Sequence, residues 1–273
     1  MAIEHFYDRH PIGETQVLEA LRRRRGDLDG TVIPDDLFDF DQDHYGGLAA
    51  VEALARRAHI RPGARVLDVC AGLGGPARFL ASRSGCHVVA LELHAGRAAA
   101  AHRLSRLCRL HPLVQVVRGD ASALPFADGR FAACISQEAF MHIDDKAAVL
   151  AGCRRVLAPA GRLAFTDWVA GPRLADGERR RLREWMAATD VQTLDGYRTL
   201  LGRAGFTSVE VEDITDEWRP VLRTRHATHR RLGAATVARI GGARHQEYDA
   251  LYTFLIDLVE NGKLGGGRFS ASR

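Results

Sequence analysis

Three acidic residues stand at or near the ends of three predicted strands in the first half of the chain. Asp68 lies near the end of "RVLDV", Glu92 ends "HVVALE" 24 residues later, and Asp120 follows "VQVVRG". The carboxyl ends of parallel strands meet at one edge of a sheet, so we expect these carboxylates to lie close together. We expect them to accept hydrogen bonds from an ammonium group, from ribose hydroxyls and from the exocyclic amine of a base, respectively, with the small Ala121 leaving room beside a flat ring. The pattern predicts a site for a nucleoside with a positively charged end.

The segment "LDVCAGLGGPARFLA" joins the first of these strands to a helix through a glycine-rich turn. Gly72, Gly74 and Gly75 follow an apolar run, and Pro76 suits the first turn of the helix. Such a turn lets the main chain approach a ligand and directs the amides of the helix N-terminus toward it. The turn also matches G-x-G-x-x-A, so a dinucleotide stays open as an alternative ligand.

The composition is that of an ordinary globular protein. The 273 residues are 46% hydrophobic and 26% charged, which excludes a disordered or fibrous chain. The N-terminal "MAIEHFYDRH" has no apolar signal core and no later run is suited to cross a bilayer, so we expect a soluble, cytoplasmic protein without a membrane partner. The net charge is +4 and the arginine clusters lack interleaved aromatics, so no nucleic acid partner is expected. The five cysteines are scattered, and we expect no metal site.

Strands and helices alternate from residue 61 onward, which predicts an α/β, doubly wound sheet. Short apolar runs predict strands at 65–69, 87–91, 114–117, 131–135 and 162–166. Residues 1–60 predict a helical N-terminal extension that serves as a lid and contains the loop "DLFDFDQDHYGGL". Residues 61–273 are expected to form the main domain, with a helical insertion at about 169–235 that covers the substrate. The tail "GGGRFSASR" predicts a last, exposed strand.

Residues 61–168 resemble the class I S-adenosylmethionine-dependent methyltransferases. The motifs are "VLDVCAGLGG", "VVALELH", "VRGDASALPF", "FAACISQEAFMHI" and "RVLAPAGRLAFTDW". The resemblance implies S-adenosyl-L-methionine as the cofactor and a Rossmann-like sheet of seven strands whose last strand is antiparallel. Cys70 stands where the family usually has its first loop glycine, so we expect that end of the loop to adopt unusual backbone dihedrals less readily.

Within that class, "DQDHYGGL", "ISQEAFMHI" and "AFTDW" are similar to a small-molecule branch. The branch includes glycine/sarcosine/dimethylglycine N-methyltransferases and sterol and tocopherol C-methyltransferases. The likeness implies that Tyr45 closes over the methionine end of the cofactor and that Gln137 lies near the sulfonium. The expected cofactor-binding residues are Tyr45, Asp68, Ala71, Gly72, Gly74, Glu92, Leu93, Asp120, Ala121 and Gln137.

Three residues after the fourth and fifth strands are candidates for substrate chemistry. His142 is the candidate general base, because histidine titrates near neutral pH; the alternative is a structural histidine that caps the next helix. Glu138 is expected either to bind a cationic amine or to cap a turn. Trp168 is expected either to pack a cationic or planar substrate against its ring or to be a core aromatic.

The resulting hypothesis is methyl transfer by in-line displacement to a small-molecule nucleophile, and the preferred acceptor is an amine nitrogen. C- or O-methylation of a natural product is the alternative, and a nicotinamide-dependent oxidoreductase is a more remote one. A cofactor-binding protein without catalysis also stays open. The sequence leaves the oligomeric state open, with a homodimer as one alternative. We also expect Tyr7, His10 and His44 to line the pocket, and we assign no role to them.

Overall fold

The centre of the molecule is a seven-stranded sheet. The computed structural model describes residues 3–26 and 30–273. Its strands are β1 (Arg65–Val69), β2 (His87–Glu92), β3 (Val114–Arg118), β4 (Phe131–Gln137), β5 (Leu157–Ala170), β6 (Thr207–Asp213) and β7 (Leu264–Ser272). They lie in the order β3-β2-β1-β4-β5-β7-β6, and β7 runs antiparallel to both of its neighbours. The predicted fold class and the antiparallel last strand are confirmed.

Helices cover both faces of this sheet. They are α1 (Ile3–Asp8), α2 (Glu14–Arg25), α3 (Pro34–Leu37), α4 (Gly47–Arg57), α5 (Gly75–Ser84), α6 (Ala95–Leu107), α7 (Lys146–Val156), α8 (Asp176–Met186), α9 (Leu194–Arg203), α10 (Thr215–Arg231), α11 (Gly233–Ile240) and α12 (Gly242–Glu260). Neighbouring residues of β1 point to opposite faces, so that Val66 packs in the core with α4 and α5 and Leu67 packs in the core with α7 and α9. None of the described helices has the length and apolar character needed to span a membrane.

The expectation that the C-terminal tail is an exposed strand is wrong. β7 lies between β5 and β6, and nearly all of its residues are buried. Its glycines allow α10 to approach closely: a Cβ on Gly266 would lie 2.6 Å from the ring of Trp218, and a Cβ on Gly265 would lie 2.1 Å from Oγ1 of Thr215. Because side chains are missing there, Trp218 can pack directly on the sheet.

Within the expected insertion at about 169–235, the structure has the helices α8, α9 and α10, and α11 and α12 follow them; that this insertion covers the substrate stays a prediction. β6 occupies part of that range as an edge strand of the sheet. The helices α10, α11 and α12 follow it and run from residue 215 to 260. A hydrophobic cluster joins α8, α10 and α12 to the end of β5 through residues such as Leu182, Trp218, Leu258 and Trp168.

The N-terminal segment is held against the sheet by a buried ion pair. Asp41 and Arg78 are both fully buried, and Oδ2 of Asp41 accepts hydrogen bonds from Nε of Arg78 at 3.1 Å and from its Nη2 at 2.8 Å. The main chain comes equally close, since a Cβ on Gly75 would lie 2.4 Å from the carbonyl oxygen of Asp41. Gly75 is therefore needed for the approach of residues 41 and 42 to the start of α5.

We predict that Asp41→Ala lowers the free energy of unfolding by about 3–5 kcal/mol, because it leaves the Arg78 guanidinium buried without its partner. The matched control is Asp39→Ala, which removes an ion pair with Arg24 whose side chains are 66% and 50% exposed. Its loss should be below about 1 kcal/mol. Urea unfolding followed by circular dichroism measures the free energy of unfolding of both variants. Equal losses of stability would contradict the greater stabilisation that we expect from the buried pair.

Candidate functional site

A cavity of about 500 Å³ lies at the carboxyl ends of β1, β2, β3, β4 and β5. This volume is typical of small-molecule sites. Twelve of the thirteen site residues expected from the sequence line it, namely Tyr45, Asp68, Ala71, Gly72, Glu92, Leu93, Asp120, Ala121, Gln137, Glu138, His142 and Trp168. Gly74 does not line it. Its φ is +76°, and a Cβ there would meet Arg78 and Ala101 instead, so Gly74 shapes the turn rather than the wall.

The turn between β1 and α5 has the sharp backbone that a close main-chain approach requires. Gly72 has a φ of +57°. Cys70 has a φ of +62°, so the expectation that this end of the loop resists unusual dihedrals is wrong. The turn is held by hydrogen bonds from Ala71 N to the carbonyl oxygen of Leu91 at 2.9 Å and from Gly74 N to that of Ala71 at 2.8 Å. Such bonds offset the modest cost of a left-handed non-glycine residue.

Glu92 is a buried carboxylate that the backbone already satisfies. Its Oε2 accepts a hydrogen bond from Gly72 N and its Oε1 accepts one from His94 N, both at 2.8 Å. The side chain therefore ties the end of β2 to the glycine turn. It keeps further lone pairs for a hydroxyl donor, since each carboxylate oxygen can accept two hydrogen bonds.

Asp120 and Ala121 form the third corner of the cavity after β3. Asp120 is exposed, and its Oδ1 accepts a hydrogen bond from Ser122 N at 2.8 Å. Ala121 is buried beside it. This corner combines an accessible carboxylate with a flat apolar surface.

Asp68 differs from both because one of its oxygens has no partner. The residue is 3% exposed, and Oδ2 is buried without any hydrogen bond. Burial, together with the charge of Glu92, raises the pKa of Asp68 to about 8. A buried acceptor without a partner is costly, so a cationic hydrogen-bond donor placed here would relieve that cost.

Residues 41–45, here called the cover loop, close the cavity from the N-terminal side. Asp43 accepts a hydrogen bond from Nη2 of Arg97 at 2.9 Å. Arg225 of α10 donates to the carbonyl oxygens of Asp43 and His44. Burial alone would raise the pKa of Asp43, but His10, Arg97 and Arg225 outweigh it and lower the pKa to about 2. The loop is thus held by α6 and α10 as well as by α5.

The cover loop also contacts the end of β4. Tyr45 N donates to Oε1 of Glu138 at 2.8 Å, and Nδ1 of His44 lies 2.9 Å from Nε2 of Gln137. Burial lowers the pKa of His44 to about 4, so its ring is neutral at pH 7. Nε2 of His44 lies 2.9 Å from the side-chain oxygen Oε1 of Gln42, and Nδ1 also lies 3.2 Å from the carbonyl oxygen of Tyr45. The amide oxygen of Gln137 is buried without a partner.

Glu138 thereby positions the main chain of Tyr45. The carboxyl group lies in a buried setting, and burial raises its pKa to about 8 despite the charge of Arg225. At neutral pH the carboxyl group of Glu138 is therefore protonated in most molecules, and it carries little negative charge that could attract a cation.

Tyr45 and Trp168 line the cavity and form an aromatic cluster with Trp218, which lies behind them. Tyr45 stacks on Trp218 with ring centroids 5.0 Å apart and meets the edge of Trp168 at 5.3 Å. The guanidinium of Arg225 lies 4.4 Å from the centre of the Tyr45 ring. Trp168 is 2% exposed, so it is a core aromatic that also lines the cavity.

His142 forms a pair with Tyr7 at the far end of the cavity. Nδ1 of His142 lies 3.0 Å from the carbonyl oxygen of Ala187, and Nε2 lies 3.2 Å from the hydroxyl of Tyr7. Burial lowers the pKa of His142 to about 4, so the ring is neutral and its single proton lies on Nδ1. Nε2 is then an acceptor for the Tyr7 hydroxyl. The alternative role in helix capping is not found, because Asp145 caps α7 by accepting from Ala148 N at 2.9 Å.

Several residues of this site have no local sequence signal. Tyr7 contacts His142 across 135 residues of chain, and Arg97 and Arg225 lie on helices with ordinary surface composition. The one available signal is the amphipathic pattern at 247–262, which predicts that one face of α12 is apolar.

Comparison with known proteins shows that this chain is similar to methyltransferases. Residues 67–165 match the family model described as a methyltransferase domain. The chain is 33% identical over 171 residues to the glycine/sarcosine/dimethylglycine N-methyltransferase of Actinopolyspora halophila, covering 63% of this chain and 30% of that protein. It is 29% identical over 178 residues to phosphoethanolamine N-methyltransferase 1 of Arabidopsis thaliana, covering 65% of this chain and 36% of that one. The chain thus spans about a third of the length of these two relatives.

A solved structure shares the fold over a longer stretch. It is phosphoethanolamine N-methyltransferase 2 of Haemonchus contortus in complex with phosphomonomethylethanolamine and S-adenosylhomocysteine. The TM-score is 0.79 at 20% identity, and the match covers 93% of this chain and 59% of that one. Residues 67–165 therefore match the methyltransferase-domain model, and the chain shares the fold of this solved methyltransferase.

Proposed function

We propose that this protein transfers a methyl group from S-adenosyl-L-methionine to the nitrogen of a small-molecule amine. The observation that carries the proposal is the convergence of Asp68, Glu92 and Asp120 on one cavity, at the ends of three neighbouring strands. Two relatives named as N-methyltransferases of glycine-type and phosphoethanolamine substrates support the amine as acceptor. A cytoplasmic location and a homodimer stay predictions.

The polar groups of the cavity fit this cofactor at both ends. We assign the unpartnered Oδ2 of Asp68 to the α-ammonium group and the remaining lone pairs of Glu92 to the ribose hydroxyls. Asp120 would accept from the exocyclic amine of the adenine, with Ala121 against the ring. At the methionine end, the amide oxygen of Gln137 is a buried acceptor that lacks a partner within the protein.

When bound, the cofactor supplies a sulfonium methyl group. As the bond between the amine nitrogen and the methyl carbon forms, the sulfur–carbon bond breaks and its electron pair stays on sulfur. The amine nitrogen gives up one proton. The task of the protein is alignment and exclusion of water. The cover loop and α10 close the cavity through Arg225 and Tyr45. The Tyr7 hydroxyl can take a proton from the amine as it gives its own to Nε2 of His142, because Ala187 fixes the tautomer of that ring.

Isothermal titration calorimetry with S-adenosylhomocysteine and NAD side by side tests the proposal, together with turnover of labelled S-adenosylmethionine over amines and phenols. We expect binding of the adenosyl compound alone and methylation of an amine. Preference for NAD would overturn the proposal, and binding without any methylated product would favour a non-catalytic protein.

We predict that binding of S-adenosylhomocysteine releases a proton near pH 7. The carboxyl group of Asp68 is protonated below its pKa of about 8 in the free protein, and the incoming ammonium group lowers that pKa. Affinity should therefore rise with pH between 6 and 7.5, by about an order of magnitude. Calorimetry in two buffers of different ionisation enthalpy measures the proton released.

Two controls separate Asp68 from other titrating groups. Asp68→Asn should remove both the released proton and the pH dependence. The ligand 5′-deoxy-5′-methylthioadenosine lacks the ammonium group and should bind without proton release. An unchanged proton count in Asp68→Asn would show that another group titrates.

We predict that His142→Ala lowers kcat by about 100-fold or more, the usual contribution of a positioned proton acceptor, while the Kd for S-adenosylhomocysteine stays within about twofold. Tyr7→Phe should also lower kcat, because it removes the hydroxyl but keeps the ring. The matched control is His111→Ala, since His111 is exposed outside the cavity. Normal turnover of His142→Ala across the pH range would assign this histidine to structure alone.

A further inference from the structure

One face of α12 forms an apolar wall of the cavity. Tyr248, Leu251, Tyr252 and Leu255 all line it, and their spacing places them along one side of the helix. These four residues are called the α12 face below. Trp168, Met141 and Met186 also line the cavity, so the part remote from the glycine turn has mainly aromatic and aliphatic walls.

The positive charges of the cavity are already engaged. Arg97 and Arg225 are the guanidinium groups among its described lining residues, which include no lysine. Arg97 is paired with Asp43 at 2.9 Å, and Arg225 donates to main-chain carbonyls of the cover loop while lying on the Tyr45 ring. Neither is presented to an anionic group of an acceptor.

The exposed lining residues carry negative charge instead. Glu4, Asp144 and Asp145 are exposed and line the cavity, and of these Glu4 is paired with Arg118 at 3.7 Å. Such a rim attracts cations and repels carboxylates and phosphates. Beyond the rim, the apolar walls disfavour the ammonium form of an amine, because burial lowers the pKa of a basic group. A neutral nitrogen has the free electron pair that attack on a methyl group needs.

A second cavity of about 610 Å³ adjoins the first between α1, α8 and α12. Phe6, Tyr248 and Leu251 line both cavities. The second cavity also contains Trp185, which is 38% exposed and lies 5.5 Å from the ring of Phe254.

The second cavity is also lined by Arg9, Arg244 and Glu247, and both arginines are ion-paired with Glu247. An acceptor that extends past Tyr248 toward the start of α12 would therefore meet the ring of Trp185 beside charges that are already paired.

From these contacts and charges, and resting on the proposed function, we infer that the acceptor is an apolar amine without a carboxylate or phosphate group. Its hydrocarbon or aromatic body lies along the α12 face and extends toward the second cavity, with its nitrogen at Tyr7 and His142. This chemistry differs from that of glycine, sarcosine and phosphoethanolamine, which the printed names of the two relatives indicate.

An acceptor panel tests the inference. We expect phenethylamine, tryptamine and decylamine to bind the protein loaded with S-adenosylhomocysteine, and at least one to be methylated with a kcat/KM about 100-fold above that of sarcosine or phosphoethanolamine. Equal or better turnover of either anionic amine would overturn the inference while leaving the proposed function intact. Failure of every apolar amine to bind the loaded protein would also overturn it. Failure of S-adenosylhomocysteine to bind would overturn the proposed function itself.

A second test of the inference places a positive charge on the α12 face. Leu251→Arg should raise the KM of the best apolar amine about tenfold or more, because the new guanidinium occupies an apolar wall, and should leave the Kd for S-adenosylhomocysteine unchanged. The matched control is Thr253→Arg on the exposed side of the same helix, which should change neither value. An unchanged KM in a folded Leu251→Arg protein would remove the α12 face from the acceptor site, and circular dichroism verifies the folding of both variants.

Discussion

The buried ion pair between Asp41 and Arg78 is the constraint on which the closed cavity depends. It fixes the start of the cover loop against α5, where Gly75 leaves room for the main chain of Asp41. Every later contact of the loop uses that anchor: Asp43 with Arg97, His44 with Gln137, and Tyr45 with Glu138. An unpaired buried charge costs much more than an exposed one, so the pair leaves the loop few alternative positions. A rigid cover over a small-molecule site limits the entropy lost on binding.

The carboxylates of Glu92 and Asp68 differ in how their oxygens are hydrogen-bonded within the protein. The two oxygens of Glu92 accept from main-chain amides and join β2 to the glycine turn. One oxygen of Asp68 has no partner, although the residue is more buried than Glu92 (3% against 7% exposed). The protein therefore bears a free-energy cost at Asp68 that an ammonium group would remove. Glu92 therefore stabilises the glycine turn whether or not a ligand is bound, whereas the unpartnered oxygen of Asp68 stabilises no other part of the protein.

The aromatic cluster couples the sheet to the helices above it. Trp218 packs directly on β7 because Gly265 and Gly266 have no side chains, and its ring also stacks on Tyr45 of the cover loop. Trp168 closes the cluster from the end of β5. The cluster beside the cavity thus contains residues from three distant parts of the chain. The cavity's mixture of aromatic surface and neutral polar groups suits methyl transfer, which depends mainly on alignment in a water-poor space.

Local pattern in the sequence determined the strands, the glycine turn and the three acids at or after the ends of β1, β2 and β3, because strand periodicity and turn chemistry are properties of neighbouring residues. The antiparallel last strand was implied by the family resemblance and not by local pattern. The tertiary structure alone decided that β7 is buried, that Cys70 adopts a positive φ, and that Gly74 shapes the turn without facing the cavity. It also decided the partner of His142, which is Tyr7 at the opposite end of the chain, and the meeting of the α12 face with the end of β5. These features depend on contacts between residues far apart in sequence, and no local pattern records which distant side chain will fill a given space.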